Sequence, residues 1–206
     1  MRLDYLKIDN FKSIVDFFIN FNEVSQTTVL VGRNGSGKSN LLEALILIFR
    51  DLDLGETPSF GYELCYFYGN YHIKIIAKPK NQARERMIFF IRDITRVEGQ
   101  TGLFPIENEG FEEISYSRFK QDAREKYLPR NVFAYYSGPS DRMERYFEKH
   151  QEKFYQDLIN KKDENESKSL RPLLYARLVH SQFVLLAFFS KPDHEIQEFL
   201  KKHLRI

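Results

Sequence analysis

The stretch Gly32-Arg33-Asn34-Gly35-Ser36-Gly37-Lys38-Ser39 constrains this chain more than any other, because it satisfies the pattern G-x-x-x-x-G-K-[ST] at every position. Its flanks suit the motif. Thr28-Val29-Leu30-Val31 is a short β-branched run that predicts a strand, and residues 39–49 read as a buried helix. Strand, glycine loop, helix is the order in which such a loop binds phosphate. The glycines let the backbone curl, partly through positive φ, so that successive N–H groups point inward. The helix that follows adds unpaired N–H groups and the positive end of its dipole. Lys38 is expected to reach the β- and γ-phosphates of a nucleotide, and the Ser39 hydroxyl to sit on Mg²⁺.

Composition sets the surroundings of that loop. A chain of 206 residues with 42% apolar content can bury a core as one large domain or as a domain with a subdomain. A formal net charge of +2, with acids and bases interspersed, gives no basic field that would argue for nucleic acid. The single cysteine, Cys65, excludes an internal disulfide framework, suits a reducing cytoplasm and reads as a core residue. The opening residues alternate charged and apolar, which predicts a strand rather than a signal peptide. The longest apolar stretch, 173–189, is interrupted by Arg177, His180 and Gln182 and predicts a buried helix rather than a membrane span. A cytoplasmic protein without membrane contact is expected.

Taken in order, Tyr5-Leu6-Lys7-Ile8 and residues 16–21 predict two strands ahead of the loop. After the loop's helix, Asp51 to Pro58 reads as a helix end and a connection. Residues 60–68 and 71–78 predict a hairpin turning at Gly69-Asn70, and 86–92 a third strand. Residues 97–110 read as an exposed loop and 117–127 as a charged helix. Residues 131–136 predict a buried strand, and 142–159 a long polar helix capped by Ser140 or Asp141. A charged stretch at 161–169 reads as a loop, Pro172 as a helix start, and 193–204 as an amphipathic helix with Ile196, Phe199, Leu200 and Leu204 on one face. Histidines 150, 180, 194 and 203 are scattered, which argues against a histidine metal site and reads His150, His194 and His203 as surface residues.

The segment Leu6-Lys7-Ile8-Asp9-Asn10-Phe11-Lys12-Ser13, followed by a short strand and Gly-Arg-Asn-Gly-Ser-Gly-Lys-Ser-Asn, resembles the N-terminal lobe of SMC/RecF-type ATPases of the ABC superfamily, among the AAA-type prokaryotic repair and defence ATPases. Asn34 and Asn40-Leu41-Leu42-Glu43-Ala44 are the variants preferred in that group. The match is close over about the first fifty residues and holds only in outline beyond them. It implies an α/β P-loop NTPase fold with an antiparallel β subdomain in residues 1–136 and a helical region in 137–206. It implies ATP and Mg²⁺ as cofactors, bound by residues 32–39 and Asn40, with Lys12 and Ser13 as secondary contacts. A solvated lysine and a turn serine explain the last two as well. The resemblance further implies a homodimer or a complementary ATPase half as partner, with DNA entering by analogy alone.

The same resemblance calls for a glutamine loop, a serine-glycine signature, an apolar strand ending in Asp-Glu and a switch histidine. None is evident. Residues 87–93 end in Asp93 but no Glu follows, and Ser137-Gly138-Pro139-Ser140 has proline where a second glycine belongs. The expectation is therefore the N-terminal portion of an ATPase, with hydrolysis depending on elements outside it. Two alternatives stand beside it: a non-hydrolysing ATP-sensing interaction module, and a P-loop kinase or GTPase, the latter weakened by the lack of an N/T-K-x-D guanine signature.

Overall fold

The computed structural model describes residues 1–21, 27–78, 87–97, 110–136, 141–160, 173–190 and 193–204. Alternating apolar residues in the first half build an antiparallel sheet. Strands β1 (Arg2–Phe11) and β2 (Ile14–Asn20) form a hairpin in which Phe11 faces Ile14 across the two-residue turn Lys12-Ser13. Lys12 sits at φ 55, a conformation that tight hairpins require and that glycine usually supplies. Strands β3 (Tyr62–Tyr68), β4 (Tyr71–Ala77), β5 (Met87–Asp93) and β6 (Glu112–Ile114) complete a six-stranded sheet in the order β2-β1-β3-β4-β5-β6. Gly69-Asn70 makes the β3–β4 turn expected of it.

One face of that sheet is apolar at every second residue. Leu6 and Ile8, Tyr62, Leu64 and Tyr66, Ile73 and Ile75, and Phe89 and Ile91 are all buried on it. Helix α1 (Lys38–Leu54) presents Leu41, Ala44, Ile48 and Leu52 at helical spacing, and these enter the same core. Phe49 meets Tyr66 edge-on at 5.7 Å. Helix α2 (Tyr116–Asp122), capped by the Ser115 hydroxyl, adds Phe119 stacked on Phe89 at 4.1 Å, and wider π-type turns continue it over Ala123–Tyr127.

A second, smaller cluster lies on the other side of α1. Strands β7 (Val132–Tyr135) and β8 (Leu173–Ala176) pair in parallel, apart from the large sheet. Leu173 and Tyr175 of β8 pack with Ile46 of α1 and with Met143 and Phe147 of the following segment. That segment is a 3-10 turn, Glu144–Phe147, running into helix α3 (Glu148–Asn160). Helices α4 (Leu178–Ser190) and α5 (His194–Phe199) close the described chain. Among the described residues no helix is long and apolar enough to cross a membrane.

Several expectations are corrected. Residues 28–31 join no ladder among the described residues, and Val29 and Val31 are 77% and 90% exposed. A strand needs a neighbour for its backbone groups, and among the described residues none pairs with this run. Helix α1 runs past Asp51 to Leu54, where Gly55 at φ 70 returns its N–H to the Asp51 carbonyl. The apolar run from Leu173 is not one buried helix: its first four residues are β8, because pairing with β7 buries Leu173 and Tyr175. The remainder, α4, is largely exposed, with Phe183, Leu186 and Phe189 all more than half accessible. β7 is half-exposed rather than buried, since Phe133 and Tyr135 face outward. The polar helix begins at Glu148, after the 3-10 turn, and Asp141 receives the Glu144 N–H through its carbonyl. The last helix gives way to wider turns at Leu200–Leu204, with Leu200 buried and Phe199 exposed. Ser137-Gly138-Pro139-Ser140, Pro172 and most of the expected loops at 97–110 and 161–169 lie outside the described residues.

Candidate functional site

The glycine loop sits directly on the N-terminus of α1, and the local geometry leaves that terminus open. Gly37 occupies the N-cap position at φ 90, so no side chain caps the helix, and its first turn carries no acid. Both absences favour an incoming anion, which would otherwise compete with a capping oxygen or a carboxylate for the same N–H groups. Gly35 is also left-handed, at φ 84. A Cβ on Gly32 would stand 2.8 Å from the Ser36 hydroxyl, so a side chain there would require that hydroxyl to turn away. Lys38 folds back over the loop, its Nζ donating to the carbonyls of Gly32 at 2.5 Å and Arg33 at 2.8 Å. Residues 31–36 are exposed and residues 37–40 half-buried, so the loop faces solvent while Ser39 and Asn40 are partly enclosed. The backbone N–H groups of the loop, the Lys38 ammonium and the hydroxyl one residue on are the donor set that a nucleotide phosphate with a hard divalent cation requires.

Behind the loop lies a polar hub. Glu43, on α1, is fully buried. Lys12 Nζ and the Tyr146 hydroxyl donate to its Oε2, the latter at 3.1 Å, while Arg142 donates to Oε1 through Nε and Nη2. Burial works to raise the Glu43 pKa, but the hydrogen bonds from Lys12, Arg142 and Tyr146 outweigh it and hold the carboxyl below its ordinary value. Arg142 Nη2 also donates to Asn40 Oδ1 at 2.8 Å, and Asn40 Nδ2 donates to Ser13 Oγ at 2.7 Å. Ser13 Oγ and Ile14 in turn stand 3.7 and 3.5 Å from the point where a Gly37 Cβ would be. The structure thus brings Lys12, Ser13 and Asn40 together beside the loop. It engages Lys12 with Glu43 and Tyr146.

A family model for the AAA ATPase domain matches residues 1–205. The chain belongs to that family. Comparison with curated proteins returned no match. As an AAA ATPase domain it is an ATP-binding, ATPase-type module with a P-loop NTPase fold, here of mixed α/β construction with an antiparallel sheet.

Elsewhere in this AAA ATPase domain two other polar clusters could be mistaken for sites. Asp4, Cys65 and His72 converge on the outer face of the sheet. Asp4 reaches it because a bulge between Leu3 and Tyr5 shifts the β1–β3 register. His72 Nε2 lies 2.9 Å from Asp4 and 3.0 Å from Cys65, while Arg92 meets Nδ1 at 3.1 Å. A guanidinium only donates, so Nδ1 accepts and the ring proton sits on Nε2, the opposite of what a metal ligand at Nε2 needs. Burial raises the Cys65 thiol well above its ordinary pKa, leaving it unreactive. The second cluster corrects the reading of His150 as a surface residue. It is 4% exposed and lies 2.9 Å from Asp53, which Arg124 also holds. Burial raises the Asp53 pKa, yet His150 and Arg124 bring it below its usual value. Asp93 bonds the backbone and hydroxyl of Thr95, as a turn-stabilising acid does.

Sequence reasoning named the loop, Asn40, Lys12 and Ser13 but gave Glu43, Arg142 and Tyr146 no role. Glu43 carried one readable signal, a single charge within the apolar run Leu41–Phe49 of α1. Arg142 and Tyr146 carried none, because their proximity to Glu43 spans 99 and 103 positions.

Proposed function

We propose that this AAA ATPase domain is the ATP-binding lobe of an SMC/RecF-like ATPase acting in DNA repair or in prokaryotic defence against foreign DNA. Residues 32–39 would hold the triphosphate, with Lys38 exchanging the Gly32 and Arg33 carbonyls for phosphate oxygens, Ser39 on Mg²⁺, and Lys12, Ser13 and Asn40 alongside. The observation that carries this reading is the uncapped, acid-free start of α1 behind a loop wound through Gly35 and Gly37. Hydrolysis requires a carboxylate to share the metal and another to polarise water. The nearest carboxylate along α1, Glu43, is committed to Lys12, Arg142 and Tyr146. Those acids would come from a further segment, a second copy or a complementary half. The exposed Val29 and Val31 ahead of the loop support a strand being added there. The link to DNA rests on the resemblance alone.

The hub also supports a second reading, a module that binds ATP without turning it over and relays occupancy to a partner. Phosphate release from Mg-ATP, measured at high protein concentration with and without DNA, separates the two. Turnover above a Lys38→Ala control supports the ATPase, whereas binding without turnover favours the sensing module.

A further inference from the structure

The Glu43 hub does more than neutralise a buried acid. One cation would suffice for that, yet Glu43 takes Lys12, two nitrogens of Arg142, and Tyr146. A second thread runs beside it. Arg142 fixes Asn40, Asn40 fixes Ser13, and Ser13 walls the position of Gly37. Asn40 is the residue after Ser39, so the guanidinium sets the side chain next to the proposed metal-binding hydroxyl from 102 positions away. The turn it steadies is strained, with Lys12 at φ 55, and a non-glycine residue stays in that conformation only when its surroundings hold it there.

We propose that Arg142 is a positioning residue for the nucleotide site, one that bridges Glu43 and Asn40 with a single guanidinium and so holds the Lys12-Ser13 turn against the glycine loop. This rests on the reading of the loop as an ATP site. The planar fork is what the task needs. Two acceptors on one helix, Asn40 and Glu43, are met at fixed angles by one group, which a lysine ammonium on a flexible stem does not reproduce. The half-exposed side chain of Arg142 spends these donors inward, on α1.

The test is Mg-ATP affinity by calorimetry on the full chain, with a thermal midpoint for each variant. R142K weakens binding about tenfold, the scale of one lost charge-assisted hydrogen bond. R142M weakens it at least as much. N40A has an effect of the same order, and N40A/R142M is no weaker than the worse single variant, because both remove one thread. Should R142M fail to fold, R142K and N40A, which keep a cation on Glu43, carry the comparison. Wild-type affinity in R142M with a lowered midpoint would make Arg142 purely structural and overturn the proposal. Full rescue by lysine would mean that a cation on Glu43 suffices and that the fork to Asn40 is not needed, and strict additivity with N40A would break the thread; either result overturns it too. Absence of Mg-ATP binding in the wild type would defeat the reading of the loop and the inference with it. Normal binding that is insensitive to these variants defeats the inference alone.

Discussion

Gly37 joins backbone geometry and ligand chemistry in one residue. At φ 90 it caps α1 without a side chain, and an added Cβ would meet Ile14 and Ser13 at ordinary contact distances. Space is therefore not what excludes alanine; the left-handed backbone is. Gly37→Ala is expected to cost about 1–2 kcal/mol of stability in urea unfolding and to abolish measurable nucleotide binding, since relaxing φ turns the loop's N–H groups away. Glu43 raises the opposite problem, a buried charge held by two cations. Glu43→Gln leaves Lys12 and Arg142 facing a neutral amide; because both cations are about a third exposed and can take up water, a loss of about 1–3 kcal/mol is expected from the weakened charge-assisted hydrogen bonds. Its pKa is depressed by folding, so its contribution is fully present above the ordinary value of 4.5 and is lost as pH falls through the lower folded value. Asp51, raised mainly by burial against the pull of Arg50, acts in the other sense and offsets part of this. Helical circular dichroism between pH 7 and pH 2 checks the point. The wild type should lose stability below pH 4.5, and the glutamine variant should start lower and depend less on acid over that window.

The elements were legible wherever local pattern decides them. The hairpin at Gly69-Asn70, the strands around it and the helix after the loop all follow from turn chemistry and periodicity. Where a distant partner decides, the pattern misleads. Leu173-Leu174-Tyr175-Ala176 reads as part of an apolar helix, and only pairing with Val132–Tyr135 makes it a strand. The β-branched run at 28–31 fails the other way, strand-like in composition but paired with no strand among the described residues. The site divides along the same line: its loop is contiguous and legible, whereas Arg142 and Tyr146 come to Glu43 from far along the chain. Phe147 ties the two regions together, fully buried against Tyr175 at 5.7 Å and in one cluster with Ile46 of α1. Phe147→Ala is expected to cost about 3–5 kcal/mol in chemical denaturation. Because the adjacent Tyr146 would lose its support, the variant should also weaken Mg-ATP binding, measured well below its unfolding midpoint.

At the scale of the molecule, one antiparallel sheet and one helix carry the glycine loop, and a small parallel β-pair with its 3-10 turn braces that helix from the other side. The first unit carries the proposed phosphate cradle; the second carries Arg142 and Tyr146, which reach Glu43 behind it. A ligand that binds only the folded state raises apparent stability by mass action, so Mg-ATP at a hundredfold excess over its dissociation constant should add about 2.7 kcal/mol. The gain should appear as a rise in thermal midpoint that is absent with Lys38→Ala.

The most direct test of the account is calorimetric titration of Mg-ATP into the wild-type chain and into Lys38→Ala. The account predicts saturable binding near one nucleotide per chain in the wild type and a loss of at least about a hundredfold in affinity, on the order of 2.7 kcal/mol, in a variant that keeps its thermal midpoint without ligand. Equal affinity in the two proteins, or no binding by a folded wild type, would contradict it.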